Sequence, residues 1–241
     1  MNRDSHFQTE KPRRGESLDK KAIQTVRMMR YFIDATVQII EEEGIENVTI
    51  RRISDLAGYN SATIYNYFSE LSHLIFYSSL KILRKYTSAL PGYMAKGNNP
   101  LERFLLMWEC FCQYSFSEPH IYHAIFSSDV GGGSKELMDE YYDQFPDDLD
   151  DLPSDLRPMF LEFDMTTRER IAMEECIQTG DIKEENAEHV QEMIKLIWQG
   201  MLTLVLNQRY NYSAEKATEI TMTYIKEIME NANSFSFSRF P

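Results

Sequence analysis

The side chains that commonly do chemistry are thinly scattered in this sequence. Cys110 and Cys112 lie two residues apart, on opposing faces of any helix, so they cannot chelate one metal together. Three cysteines, an odd and small number, do not describe a disulfide framework; with Cys176 they read as buried thiols. His120 and His123 can share a helix face with Glu118 nearby, but two imidazoles on one turn do not make a metal site. The run Asp147-Asp148-Leu149-Asp150-Asp151 lacks the glycine and spaced glutamate of a calcium loop, and a solvated loop is expected. No nucleophile–base motif and no phosphate-cradling glycine loop appears. These residues support neither an enzyme nor a bound metal or cofactor.

A different chemistry is concentrated between Thr49 and Leu74. Two short helical segments flank the tight turn Gly58-Tyr59-Asn60. Thr49 is placed to cap the first, with apolar positions at Ile50, Ile53, Leu56 and Ala57; Asn60 or Ser61 caps the second, which runs to about Phe68. This is what a helix-turn-helix requires. One helix braces on the DNA backbone, the glycine reverses the chain, and the second helix offers its first residues to base edges. That second helix opens with the small or polar Ser61, Ala62 and Thr63, followed by Tyr65, Asn66, Tyr67 and Phe68. Small groups allow close approach to a groove floor, and phenols donate to phosphates while their rings pack.

The elements that must position this segment are helical throughout. Apolar residues recur at Met28, Phe32, Ala35 and Ile39, beside Met29, Ile33, Thr36 and Ile40, predicting a helix from about Thr25 to Glu43 closed by Gly44. Another is expected over 72–90, ended by Pro91-Gly92. Beyond it, helices are expected at about 99–117, 119–127, 134–144, 156–179, 184–208 and 213–232. The last two carry the stripes Val190, Met193, Ile197, Met201, Leu204 and Ala217, Ile220, Tyr224, Ile228. Ser134 is placed to cap its helix after the flexible Gly131-Gly132-Gly133, and the alternating Ser234–Phe240 tail is expected to fray or dock. The reading is all-α: a basic, mobile arm at 1–24, a helix-turn-helix domain at 25–85, and a larger helical domain at 90–235.

In its order of residues the segment resembles the tetracycline-repressor (TetR) family of bacterial transcription regulators. The resemblance rests on the helix before Gly44, Thr49, Ile53, Leu56-Ala57-Gly58, Thr63-Ile64-Tyr65, Tyr67-Phe68 and Leu74, and covers about residues 25–75. It implies a homodimer whose two heads read a palindromic double-stranded DNA operator. It also implies a helical body that binds a small-molecule effector, with repression the expected mode. By position, Thr49 would meet a phosphate, Arg51 a base or phosphate, and Ser61, Ala62 and Thr63 would open the recognition helix. Tyr65, Asn66 and Tyr67 would lie on phosphates or base edges. One position departs: such proteins usually carry a Lys at the start of the next helix, where this chain has Leu71 after Glu70. Lys11, Arg13, Arg14, Lys20 and Lys21 of the arm are expected to compensate. The implied effector cavity would draw on Phe104, Met107, Phe111, Tyr114, Phe126, Phe163 and Trp198, and the sequence does not name its occupant. The alternative reading is a ligand- or protein-binding helical regulator that does not read DNA.

Charge sharpens this division. The chain carries a net −13, yet residues 1–90 hold a net +2 and residues 91–241 a net −15. An acidic body is repelled by the duplex, which favours the orientation that presents the head. No apolar run approaches the roughly 20 residues of a membrane span, and no signal-peptide core opens the chain, so a cytoplasmic protein is expected.

Overall fold

A computed structural model describes residues 14–127 and 133–235, which form eleven α-helices, two short 3-10 turns and no strand. The first helix, α1, runs Arg14–Glu43. It begins well before Thr25, so residues 14–24 of the expected mobile arm are helical. Residues 1–13, with Lys11 and Arg13, lie outside the described residues, as do Gly131, Gly132 and residues 236–241 of the tail.

The head is built on one face of α1. Met29, Phe32, Ile33, Ala35, Thr36, Ile39 and Ile40 are buried, as their spacing predicts. Gly44 follows at φ 93°, a conformation that favours glycine. The next helix, α2, spans Ile50–Ala57, and α3 spans Ser61–Ile64. The α3 hydrogen bonding stops short of Phe68, but the chain keeps turning, with Tyr67 and Phe68 N–H donating to the Ile64 carbonyl at 2.9 and 3.0 Å. Ile53, Ile64, Phe68 and Leu74 close the core against Phe32, whose ring meets Tyr59 at 5.5 Å and Tyr67 at 5.9 Å.

The helix α4, Leu71–Met94, belongs to head and body alike: its inner face packs on α1, then on the body. It does not end at Pro91, which lies inside it and withholds one hydrogen bond without stopping the helix. The body adds α5 (Pro100–Ser117), α6 (Pro119–Phe126), α7 (Ser134–Gln144), α8 (Arg157–Phe160), α9 (Met165–Gln178), α10 (Glu184–Leu206) and α11 (Ala214–Asn231). Gly133 rather than Ser134 occupies the α7 cap position.

Other expectations for the body also need correction. The single helix over 156–179 is broken into α8 and α9, because Asp164 accepts the Thr167 N–H at 2.8 Å and starts a new helix. The acidic run is not a solvated loop. Pro146–Leu149 forms a 3-10 turn, and Asp148 is buried, accepting from the Tyr141 hydroxyl at 2.5 Å and from Arg84 at 3.4 Å. Arg84 and Ser88 of α4 also hold Asp151, at 3.3 and 2.9 Å. Those charges therefore fasten the body to α4.

The last two helices are rotated slightly from the expected stripes. Inside are Val190, Ile194, Trp198, Met201 and Leu202, with Ala217, Thr221, Ile225 and Ile228. Met193, Ile197, Leu204 and Ile220 are only half-buried, while Leu196 and Tyr224 are 59% and 56% exposed. Both helices thus keep an apolar outer face in the protomer.

Candidate nucleic-acid interface

The two helix N-termini of the head are each closed by the side chain the sequence supplies. Thr49 Oγ1 accepts the Arg52 N–H at 3.3 Å, and Asn60 Oδ1 accepts the Ala62 N–H at 2.7 Å. Both cap bonds lie at the exposed surface of the head. Between them Gly58 turns the chain at φ 73°, ψ 28°. Ser54 Oγ lies 2.9 Å from Ser61 Oγ and donates to the Arg51 carbonyl, locking the angle between α2 and α3.

This network sorts the expected contact residues. Thr49, Arg51, Ala62, Tyr65 and Asn66 are exposed. The Arg51 side chain is 90% exposed and only 3.8 Å at closest from Asp55, so its guanidinium is available. Tyr65 is 57% exposed. Thr63 is half-buried, Ser61 is engaged with Ser54, and Tyr67 is half-buried against Phe32. Arg52, adjacent to Arg51, is committed to Glu43 and to the Asn47 carbonyl. Leu71 opens α4 half-buried on the core, and Glu70 beside it accepts from Ser72 Oγ at 3.0 Å. That corner offers a backbone phosphate no cation. Ser54 is the residue that motif reasoning passes over; its small polar side chain on the inner face of α2 is the available signal.

The body contains a pocket and a groove beside it. Tyr86 of α4, Met107, Trp108 and Phe111 of α5, Met159 and Phe160 of α8, and Met165, Arg168, Glu169 and Ala172 of α9 line a small cavity of about 40 Å³. That is room for a water molecule, not for an organic ligand. An outer groove of about 390 Å³ shares Met107, Met159 and Ala172 with it and adds Phe104, Arg103, Asp155 and Glu175. Of the expected pocket residues, Met107 and Phe111 line the cavity and Phe104 the groove. Phe126 and Phe163 meet Arg168 on its far side. Tyr114 packs on Tyr86, and Trp198 backs Phe111 at 5.1 Å while donating to Ser115 Oγ at 3.0 Å; neither lines the cavity.

Arg168 and Glu169 escaped the sequence reading, although both interrupt the apolar stripe that runs from Met165 to Ala172 and Met173. Arg168 is buried across the rings of Phe126 and Phe160, donating to the carbonyls of Met159 at 2.9 Å and Phe160 at 3.0 Å. Burial pulls its pKa down from the usual arginine value. Glu169 is 4% exposed and neither of its carboxylate oxygens has a hydrogen-bond partner. Burial pushes its pKa up to about 8, against a smaller opposing pull from Lys195. The three thiols are buried, and burial raises Cys110 and Cys176 to about 12. Among the described residues, no group of three or more His, Cys, Asp or Glu side chains is placed to hold a metal.

Capped helices meeting at a left-handed glycine, with an exposed polar edge, define an all-helical protein carrying a helix-turn-helix head. The model of the tetR family of bacterial regulatory proteins matches residues 32–74, the stretch just described. It is 25% identical over 123 residues to the HTH-type transcriptional regulator SAB2452 of Staphylococcus aureus (strain bovine RF122 / ET3-1), covering 47% of this chain and 64% of that protein. The chain thus matches less than two thirds of that relative's length. In fold it is similar to RolR in complex with the ligand resorcinol, with a TM-score of 0.57 at 16% identity, over 87% of this chain and 89% of that one. It is also similar to FadR from Bacillus subtilis in complex with stearoyl-CoA, with a TM-score of 0.54 at 15% identity, over 84% and 98%.

Proposed function

We propose that the protein is a DNA-binding transcriptional regulator, acting as a homodimer on a near-palindromic operator and released from it by a small-molecule effector. The observation that carries this reading is the exposure of Thr49, Arg51, Ala62, Tyr65 and Asn66 on and beside two side-chain-capped helices, within the stretch that the tetR family model matches. Residues 25–85 read DNA and residues 90–235 bind the effector and the second protomer, while residues 1–24 add basic charge near the duplex. The protein is a regulator and not an enzyme, and it works in the cytoplasm with its DNA. No helix among the described residues is long and apolar enough to cross a membrane, in keeping with that.

The outer faces of α10 and α11 supply the dimer contact. Met193, Leu196, Ile197 and Leu204 follow one face of α10, with Ile220 and Tyr224 on α11. A side chain at Gly200 would meet nothing within 4 Å in the protomer, so a second backbone has room to approach there. Two protomers joined in this way form a four-helix contact and hold their recognition helices about one DNA turn, roughly 34 Å, apart. Coupling runs through α4, which carries Tyr86 in the cavity wall and Leu74 in the core of the head. An effector that binds the misaligned dimer more tightly lowers DNA affinity by that differential and no more.

A second reading is favoured by one observation: with Leu71 and Glu70 at the corner where a lysine is usual, the head has few phosphate contacts. On that reading the chain binds ligand or protein without reading DNA. A mobility-shift titration with duplex from its own upstream region separates the two. Our reading expects a shift at low salt that weakens steeply as salt rises; no shift at low salt would overturn it in favour of the second.

A further inference from the structure

We propose that the effector is an organic cation, an ammonium group borne on an aromatic or compact apolar body, and that the Glu169 carboxylate is its counter-ion. This rests on the reading of the body as an effector domain and names the ligand class of that site. Glu169 is almost wholly buried, lines the cavity, and has two oxygens without a hydrogen-bond partner. A buried polar group left unpartnered costs free energy, and its natural complement is a donor or cation that arrives with a ligand. The walls around it are Tyr86, Trp108, Phe111 and Phe160. Aromatic faces with a carboxylate among them are the arrangement that attracts a poorly hydrated ammonium ion.

The positive charge already in the wall does not fill this role. Arg168 forms no ion pair with Glu169; its guanidinium lies over Phe126 and Phe160 and two of its donors hold the carbonyls that end α8. Lys195, the cation that acts on Glu169 electrostatically, donates to Thr166 Oγ1 at 3.2 Å instead.

The route in has the same preference. The outer groove carries Arg103, Glu175 and Asp155; Arg103 is paired with Glu175 at 2.7 Å, and exposed Asp155 makes no ion pair among the described residues. The wall between groove and cavity is Met107, Met159 and Ala172. Methionine side chains re-pack readily, so moving two thioethers merges a 40 Å³ cavity with a 390 Å³ groove into a space of small-ligand size.

The test is calorimetric titration of the full-length protein, without DNA, with benzyltrimethylammonium, benzyl alcohol and phenylacetate, which share a ring and differ in charge. Fluorescence of Trp108 and Trp198 reports occupancy independently. We expect the cation to bind about tenfold or more tightly than the alcohol, with phenylacetate weakest, and the E169Q variant to lose that preference while keeping its helical content. Tightest binding by phenylacetate would make Arg168 the anchor and overturn the proposal. So would equal binding of all three probes, a cation affinity unchanged in E169Q, or no cation binding at millimolar concentration. The probe comparison on the unmodified protein stands even where the variant does not fold. Because DNA is absent, failure here is distinct from failure of the DNA-binding reading.

Discussion

In the head, the polar groups of the candidate reading edge are either satisfied by neighbours or turned to water, whereas in the body two ionisable side chains lie inside an aromatic cavity and one of them has no hydrogen-bond partner. Thr49, Asn60 and the Ser54–Ser61 pair illustrate the first arrangement: each hydroxyl or amide closes a backbone or side-chain bond, and the remaining exposed groups stand on a rigid base. Glu169 and Arg168 illustrate the second. A surface that must match a stiff duplex gains from groups fixed before contact. A site that must respond to a small molecule gains from a group whose energy changes when the molecule arrives. The two regions meet on α4, where Lys81 pairs with Asp34, Lys85 with Glu41 at 2.8 Å, and Arg84 with Asp148.

Breaking the rigid side has the largest expected effect. Phe32→Ala removes the fully buried ring at the centre of the head and should cost about 3–5 kcal/mol of stability, read by thermal or denaturant unfolding. Leu196→Glu on the outer face of α10 should leave the protomer folded and split the dimer, lowering operator affinity on the order of a hundredfold, checked by sedimentation and DNA titration.

The body gives a pH signature of the opposite kind. The Glu169 carboxyl titrates near 8 when folded, above its ordinary 4.5, so between those values the folded state holds the extra proton. Its contribution to stability is therefore full below pH 4.5 and falls as pH rises through 8. From pH 6 to pH 9 the wild-type protein should lose about 2–3 kcal/mol relative to E169Q, measured as the difference between their unfolding curves. Equal slopes would remove the buried, unpaired carboxyl from the account.

Smaller effects sharpen the map of the edge. Arg51→Ala should weaken operator binding by about 1–3 kcal/mol if the guanidinium reads a base, or lower the salt slope by about one if it meets a phosphate. Gly58→Ala should cost about 1 kcal/mol, from its positive φ alone, since a Cβ there meets nothing within 4 Å.

How far each region is legible in the sequence follows from the same contrast. The head is written in local rules: Thr49 and Asn60 sit where caps belong, Gly58 where the chain must turn left-handed, and the Phe32 stripe has helical period. The body obeys longer-range terms. Asp164 breaks a helix that periodicity alone continues from 156 to 179, Pro91 sits inside a helix held by packing on both sides, and Asp148 is drawn inward by Arg84 and Tyr141, which are distant in sequence or on another element. The buried stripes on α10 and α11 lie beside those that periodicity predicts, because two apolar faces, one inward and one outward, blur a single period. Glu169 is visible only as a charge on an apolar stripe, and its unpaired state emerges only when four helices come together.

The central claim, that the head reads duplex DNA as one half of a symmetric pair, is tested most directly by selecting bound sequences from random double-stranded DNA with the full-length protein. The expected outcome is a near-palindrome with half-sites about one helical turn apart, occupied by two protomers. Recovery of no enriched sequence, or of a single half-site bound by one protomer, would contradict it.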